Sequence, residues 1–499
     1  MGKQRICVIG AGASGLTAIK CCIDEDLEPV CFEKSHDIGG LWRFEEEGTS
    51  DGATVYRSTY INTSKEMMAF SDFPPPKEAA NYFHNSKVMQ YYRDYADKFN
   101  LLKHIKYKRE VLSCKKMNDF ESTGNWFNLL TDKTSVDVFN GVIVAVGHHA
   151  VPHFPVSQFP GADKFKGKIL HSQDYRDFRG FENKNVVVLG VGNSGGDIAV
   201  ELSWHSKQSS ISHRAFLNWL TPSSVIQKSV ESQLMEKFDH DHYGLRPDHG
   251  PLNQVQLTLL STFLVQVLSL KLNHPFINDE LPHRIINGSI MIKSNIELIF
   301  DDGTAVEADA VIFATGFIFQ FPFQNDSIAK LNGTDSQLYK YIWPVGMAKH
   351  TLAVIGHVHV LGAVNPVSEM QCRWATRVFK ELATLPNDTN MLLDINRKKV
   401  ALQKRFYKSQ RHTMEVDHIA YMDEIADQIG VKPNMFSLFI TDRKLARKVW
   451  YEFCSAYQYR LKGPGKWAGA REAIMGQQSR MFCPLHTRAT SKRSKSKNK

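Results

Sequence analysis

Two glycine-rich turns, each set between an apolar strand and a helix, constrain this chain more than any other feature. The first, Gly10-Ala11-Gly12-Ala13-Ser14-Gly15, is entered from Ile6-Cys7-Val8-Ile9 and continues as a helical stretch from Leu16 to Ile23. The second, Gly190-Val191-Gly192-Asn193-Ser194-Gly195, is entered from Val186-Val187-Val188-Leu189 and leads through Gly196 into a helix over Asp197 to Leu202. The glycines of such a turn have separate duties: a tight bend, a close backbone approach to a pyrophosphate, and close packing of helix on strand. The phosphate lies at the helix N-terminus, where N–H groups and the dipole favour an anion. One such motif is weak. Two in the same context predict an α/β chain with two dinucleotide sites.

The residue that ends the next strand separates the two ligands. Pro29-Val30-Cys31-Phe32 ends in Glu33, where an acid favours an unphosphorylated adenosine ribose, as in NAD or FAD. The counterpart strand, Ser210 to Arg214, ends in Arg214, whose guanidinium binds a 2′-phosphate bidentately and so predicts NADP(H). Taken singly, Arg214 also reads as a surface arginine. Further strands are expected at Val111 to Cys114, Trp126 to Leu130 and Gly141 to Gly147, and helices at Ser86 to Leu102 and Ser368 to Leu382. Asp309 to Phe317 repeats the pattern of an apolar strand ending at small residues and marks the return of the chain, so the first domain is expected to be discontinuous. Thr351 to Gly356 gives another core strand.

Composition removes several alternatives. With 499 residues, 42% hydrophobic and 23% charged, the chain is expected to form two or three globular domains. The formal charge of +9 invites a nucleic-acid reading, but Arg488, Lys492, Arg493, Lys495, Lys497 and Lys499 lie in the final stretch, and the body without them carries +3. No nucleic-acid partner is predicted. The eight cysteines show neither a CxxC pair nor Cys/His ligand spacing, which argues for reduced thiols and against a metal site. The N-terminus carries no signal-peptide pattern. Val255 to Leu270, sixteen uncharged residues, is the nearest thing to a membrane span. It reads as a buried core helix, or as one lying in a membrane interface.

Between the two turns lies Phe165-Lys166-Gly167-Lys168-Ile169-Leu170-His171-Ser172-Gln173-Asp174-Tyr175. Its Phe165, Gly167, His171 and Tyr175, together with both glycine turns and Phe313-Ala314-Thr315-Gly316, make the chain resemble an animal-type flavin-containing monooxygenase. The resemblance continues through Asn62-Thr63-Ser64-Lys65-Glu66, Asn278-Asp279-Glu280-Leu281-Pro282, Gln371-Cys372-Arg373-Trp374 and Gly463-Pro464-Gly465-Lys466-Trp467. It covers roughly the whole chain except the middle segment and the tail.

The resemblance implies two Rossmann-like domains, with an NADPH domain inserted into a discontinuous FAD domain. The expected boundaries are 1–152 and 326–440 for the FAD domain and 153–325 for the NADPH domain, which has an altered insertion at about 215–278. A C-terminal segment, 441–487, and a basic disordered tail, 488–499, complete the chain. FAD is expected at Gly10, Ala11, Gly12, Ala13, Ser14, Gly15, Glu33, Leu41, Trp42, Asn62 and Thr63. NADPH is expected at Asn62, Gly190, Gly192, Ser194, Gly195, Gly196, Asp197 and Arg214. Asn62, as a buried amide, is the expected catalytic residue, and no metal is expected. The implied reaction takes hydride from NADPH to FAD, forms a flavin hydroperoxide with O2, and oxygenates small lipophilic amines or sulfides. Alternatives are Baeyer-Villiger oxygenation of ketones, uncoupled NADPH oxidation and a non-catalytic flavoprotein. Tyr175 argues against the first, because dedicated Baeyer-Villiger enzymes usually have Trp there. A disulfide reductase needs a redox Cys pair, and none is visible.

The resemblance further implies the cytosolic face of the endoplasmic reticulum membrane, with the cytoplasm as the alternative. Mammalian members often end in an apolar anchor, whereas this chain ends in a basic tail that can hold an anionic membrane surface weakly. Two other departures stand out. The segment after Arg214 is shortened while Val255 to Leu270 is inserted, and Gly356-His357-Val358-His359 carries histidines where the family usually has Leu and Gln. The sequence is compatible with an oligomer.

Overall fold

The computed structural model describes residues 2–46, 54–130, 136–149, 151–159, 161–212, 280–293, 307–318, 337–405 and 414–485. Arg214, the stretch from Val255 to Leu270, Asn278, Asp279 and the basic tail lie outside them.

Arg5–Ile9 (β1) leads through the first glycine turn to Ala13–Asp24 (α1) and Glu28–Glu33 (β2). Asn85–Lys98 (α2) and Ile105–Tyr107 (β3) follow. Val111–Lys116 (β4), Trp126–Leu130 (β5) and Val136–Phe139 (β6) form a small antiparallel sheet before Gly141–Val144 (β7). After Val151–Pro152 (β8) come Lys168–His171 (β9), Asn185–Leu189 (β10), Asn193–His205 (α3) and Gln208–Ser212 (β11). Leu281–Ile286 (α4), Ile290–Lys293 (β12), Ala310–Phe313 (β13) and Phe317–Ile318 (β14) precede Leu338–Tyr339 (β15), Trp343–Pro344 (β16), Leu352–Val354 (β17) and His359–Leu361 (β18). The chain closes with Val364–Phe379 (α5), Asp388–Arg405 (α6), Glu415–Asp417 (β19), His418–Gln428 (α7), Met435–Thr441 (α8), Arg443–Tyr451 (α9) and Ala470–Phe482 (α10).

Two five-stranded parallel sheets dominate, one ordered β17-β7-β1-β2-β3 and the other β12-β11-β10-β13-β9. A parallel sheet covered on both faces needs near-continuous apolar strands, and β1, β7 and β10 supply them, buried from end to end apart from the first residues of β1 and β10. The second sheet lies entirely between β7 and β17 in the chain, so one dinucleotide-binding unit is inserted into the other. The return to the first sheet is made by β17. The strand at 310–313, expected to mark that return, instead pairs with β10 and β9 in the second sheet.

Boundaries moved for physical reasons. Helix α3 starts at Asn193, four residues before the expected Asp197, because Gly195 and Gly196 serve as its first turn despite poor helix propensity. Helix α5 starts at Val364, ahead of the expected Ser368, since Pro366 is tolerated in a first turn where no N–H is required. It stops at Phe379, with Glu381 in the left-handed region at φ 57°.

The largest core joins α1, α2 and α5 to the first sheet, and a separate core of Leu170, Val186, Val188, Ile198, Leu202 and Ile312 supports the second. The C-terminal segment is bound to the first unit by buried charges. Arg480 meets both oxygens of Glu66 at 2.8 Å, and Arg460 meets Glu369 at 2.8 Å and Asp72 at 3.2 Å.

Candidate functional site

The two glycine turns are built alike. Gly10 and Gly190 sit at φ 98° and 105°, and a Cβ on either would lie 2.7 Å from Ala145 O or 2.6 Å from Ala314 O. The third glycines close each helix onto its strand: a Cβ on Gly15 would fall 1.9 Å from Gly10 O, and one on Gly195 would fall 2.0 Å from Gly190 O. The middle glycines, Gly12 and Gly192, begin α1 and α3 without a side-chain cap, and neither helix has an acid in its first turn. Both helix ends therefore present backbone N–H groups and positive dipole ends uncontested by a carboxylate of their own.

Between the two sheets lies a cavity of about 1080 Å³. A drug-sized ligand fits in roughly 300–1,000 Å³, so this space has room for more than one such molecule. Gly10, Gly12, Ala13 and Ser14 line it from the first unit, with Glu33, Leu41, Trp42, Asn62 and Thr63. Ser194 and Asp197 line it from the second. Ala11, Gly15, Gly190, Gly192, Gly195 and Gly196 stand behind the wall as the turns themselves. A Cβ on Gly12 would approach only Gly40, with Cα nearest at 3.8 Å, where the short helical turn Gly40–Trp42 crosses the glycine turn.

Glu33 is buried at the end of β2. One carboxylate oxygen accepts from Ala11 N–H at 2.7 Å, and the other accepts from Ser35 N–H at 2.9 Å and Ser35 Oγ at 2.6 Å. A carboxylate offers about four acceptor positions, so this one has capacity for a further hydroxyl. Asn62 departs from expectation: it is exposed to the cavity rather than buried, because Ile61 beside it takes the inward position and Ser64, Lys65 and Glu66 turn into the protein. Lys65 is structural, its Nζ donating to the carbonyls of Pro76, Lys77 and Ala79 at 3.1, 2.8 and 2.6 Å.

The side-chain contacts that make the seam between the units were not read from sequence. Tyr56 donates to Asp197 Oδ2 at 2.6 Å, and Ser58 and Tyr175 both donate to Glu201 Oε2, at 2.9 and 3.0 Å. Burial raises the Glu201 carboxyl above its usual range. Arg57 reaches Asp177 at 3.0 Å, and Arg179, followed by Arg57, holds Asp177 down at about 2. The stretch from Phe165 to Tyr175 runs along this seam. His171 is 1% exposed; its Nδ1 accepts from Gln173 N–H, which leaves Nε2 to donate to Gly316 O at 3.0 Å. Both ring nitrogens are thus used within the fold. Gly167 faces Phe165, and a Cβ there would meet that ring at 2.5 Å.

Four histidines gather at the carboxyl ends of β7 and β17; His357 and His359 stood out in the sequence, but their meeting with His148 and His149 did not. His148 and His149 lie 4.2 Å apart, His148 and His359 lie 5.9 Å apart, and all three line the cavity. Burial, then the neighbouring imidazoles, hold His148 well below its ordinary pKa, and burial lowers His357 to about 4. Among the described residues no group of His, Cys, Asp or Glu is arranged to hold a metal ion.

The family model for flavin-binding monooxygenase-like proteins matches residues 3–220 and 213–499. Flavin-containing monooxygenase 5 of Rattus norvegicus is 46% identical over 98% of this chain and 94% of its own length. A protein of Pan troglodytes named dimethylaniline monooxygenase [N-oxide-forming] 2 is 41% identical over 97% of this chain and 94% of its own. Among solved structures, S-allyl-L-cysteine S-oxygenase from Allium sativum has a similar fold, with a TM-score of 0.65 and 20% identity over 95% of this chain and 99% of that one.

Proposed function

The chain belongs to the flavin-binding monooxygenase-like family, and from that premise we propose that it uses NADPH and O2 to oxygenate soft nitrogen and sulfur atoms of small lipophilic compounds. FAD and NADPH are the cofactors of such an enzyme; when bound they supply the hydride and the oxygen activation. The observation that carries the reading is a single cavity into which both glycine turns open, one through Gly10 to Ser14 and the other through Ser194 and Asp197.

The residues present fit both cofactors. The helix ends at Gly12 and Gly192, uncapped and without acids, suit two pyrophosphates. The bare backbone where Gly12 meets Gly40 permits close approach, Glu33 retains capacity for a ribose hydroxyl, and Leu41 and Trp42 give an apolar wall. Asn62 offers a donor and an acceptor at the cavity surface, with Thr63 beside it, where they would orient the reacting rings. The seam pairs Tyr56–Asp197 and Ser58–Glu201 hold the two units in one relative position. We assign residues 1–152 and 326–440 to the FAD unit and 153–325 to the NADPH unit, with Arg214 taking the 2′-phosphate. The pairing of β17 with β7 supports that division.

The test is product analysis with a thioether and a ketone under air with NADPH. Sulfoxide formation supports the proposal; ester without sulfoxide would establish the Baeyer-Villiger alternative instead.

We also place the protein on the cytosolic face of the endoplasmic reticulum membrane as a peripheral protein. Among the described residues no helix is long and apolar enough to cross a membrane. Helix α8, however, exposes Phe436 (79%) and Ile440 (68%), and the exposed Arg443, Lys444 and Arg447 follow directly on α9. Apolar side chains beside cations suit an anionic lipid surface. Sedimentation with phosphatidylserine vesicles should be lost in Phe436→Ser/Ile440→Ser; retained binding would remove this helix from the contact.

A further inference from the structure

A thioether is the same functional group whether it enters a cavity as a substrate or stands in the wall as a methionine. Among the described residues, Met68 is the one sulfur-bearing residue that lines the cavity. Burial alone does not single it out: Met67 beside it and Met68 are each 4% exposed, Met89 is 8% exposed, and all three belong to the same core. Met67 and Met89, however, stand outside the residues that line the cavity.

The chain fixes Met68 in that position. The same irregular stretch brings Asn62, Thr63 and Met68 to the cavity. It is closed by Met68 N–H donating to Ser64 O at 3.0 Å and Met67 N–H donating to Ser64 Oγ at 3.4 Å. The Met68 carbonyl accepts from Asn365 Nδ2 at 3.1 Å, and Asn365 Oδ1 accepts from the Tyr92 hydroxyl at 3.0 Å. Asn365 at the start of α5 and Tyr92 on α2 line the cavity as well, with Val88 and Val364. Both polar groups of the Met68 backbone are thus taken up within the fold, and what the residue adds to the site is its thioether.

We propose that Met68 is an internal oxygen acceptor: in a cavity that holds no substrate, its sulfur is oxygenated and becomes a sulfoxide. This rests on the oxygenase reading, because the enzyme itself supplies the oxygen. In the step, a lone pair of the Met68 sulfur forms a bond to one atom of O2, the O–O bond breaks, and the other atom leaves as water. O2 takes up four electrons, two from NADPH and two from the sulfur, and one proton comes from solvent. The products are Met68 sulfoxide, NADP+ and water. A sulfoxide is polar and chiral where the thioether was apolar, so the modified wall holds a lipophilic substrate less well. An oxidant that diffuses in from solvent follows exposure instead, and it meets the half-buried Met117, Met435 and Met475 before Met68.

The test is peptide mass spectrometry of wild-type, FAD-loaded protein after turnover with NADPH and oxygen-18 gas, with catalase present and no substrate. The tryptic peptide from Glu66 to Lys77 carries Met67 and Met68 together, and its fragment ions separate them. Turnover should add one oxygen-18 atom at Met68 and leave Met67 and Met89 as thioethers, and saturating methyl p-tolyl sulfide should suppress the gain. Hydrogen peroxide alone should oxidise Met117, Met435 and Met475 first. An unmodified Met68 in protein that converts the sulfide to its sulfoxide overturns the inference and leaves the oxygenase reading standing. Equal oxidation of Met67 and Met68, or the same order of oxidation under peroxide alone, also overturns it. If neither Met68 nor the sulfide gains oxygen, both readings fail. Substrate-free turnover should also raise the KM for the sulfide in wild type and not in Met68→Leu; an equal rise in both would place the damage elsewhere and overturn the role given to Met68.

Discussion

Replacing Gly15 and Gly12 by alanine, one at a time, separates a glycine that packs from one that faces the ligand. A Cβ on Gly15 would lie 1.9 Å from Gly10 O and 2.8 Å from Gly10 C. Real Cβ–oxygen contacts begin above about 3 Å, so α1 must move by roughly 1 Å or more from β1. Helix α1 cannot move freely, since it is buried between the first sheet and α5 over most of its length. Overpacking a rigid site costs about 3 kcal/mol, or about 6–12 °C of melting temperature for a unit of 150–250 residues. At Gly12 the added methyl meets nothing nearer than 3.8 Å, and Gly12 φ of −73° suits alanine. Gly12→Ala should therefore melt within about 2 °C of the wild-type apoprotein, because surface-like changes fall within roughly 0.5 kcal/mol. It should nevertheless bind less FAD, read as the ratio of flavin to protein absorbance after purification. Gly15→Ala should lose both stability and flavin. A Gly15→Ala protein with wild-type melting and full flavin content would refute the packing argument. A Gly12→Ala protein with full flavin content would refute the assignment of that turn to the cofactor.

Three further outcomes follow from the same geometry. Lys65→Met leaves three carbonyls without their ammonium donor and should cost about 3 kcal/mol in urea unfolding; a loss below about 1 kcal/mol would show that those carbonyls find other partners. Asp177 has its folded pKa lowered to about 2, so its contribution is present above the unfolded value near 4 and disappears as pH falls through the folded one. Asp177→Asn should therefore destabilise by about 1 kcal/mol at neutral pH, after discounting for half-exposed arginines, and should match wild type near pH 2; a pH-independent difference would count against the ion pairs. Arg214→Ala should reduce the preference for NADPH over NADH about tenfold, in line with the loss of a charge-assisted contact, and an unchanged coenzyme ratio would remove Arg214 from the phosphate.

Much of the scaffold was legible because parallel sheets write themselves plainly. Ile6–Ile9, Val186–Leu189 and Gly141–Val144 are apolar runs that only a strand covered on both faces requires, and each glycine turn follows its strand at once. Glu33 was legible by its offset from that turn. Helix starts were harder, since Gly195, Gly196 and Pro366 have poor propensity and are admitted for packing or for a missing N–H. Asn62 lines the cavity but is exposed where a buried amide was expected, because burial depends on what faces a residue across the cavity. The contacts that complete the site are the least readable. Tyr56 meets Asp197, and His148 meets His359, across separations of 141 residues for the first pair and a whole inserted unit for the second. No local pattern encodes such a meeting.

The ion pair of Glu66 with Arg480 has a consequence for how the protein is made. The partners are 414 residues apart, and a ribosome adding about 5–20 residues per second needs roughly 20–80 s to cover that distance. Throughout that interval Glu66, fully buried at the end, has no arginine, and the first sheet waits as well for β17. The nascent chain can finish its inserted unit long before the unit that surrounds it. The ion pair that ties the C-terminal segment to the first unit can therefore form only after nearly the whole chain has been made.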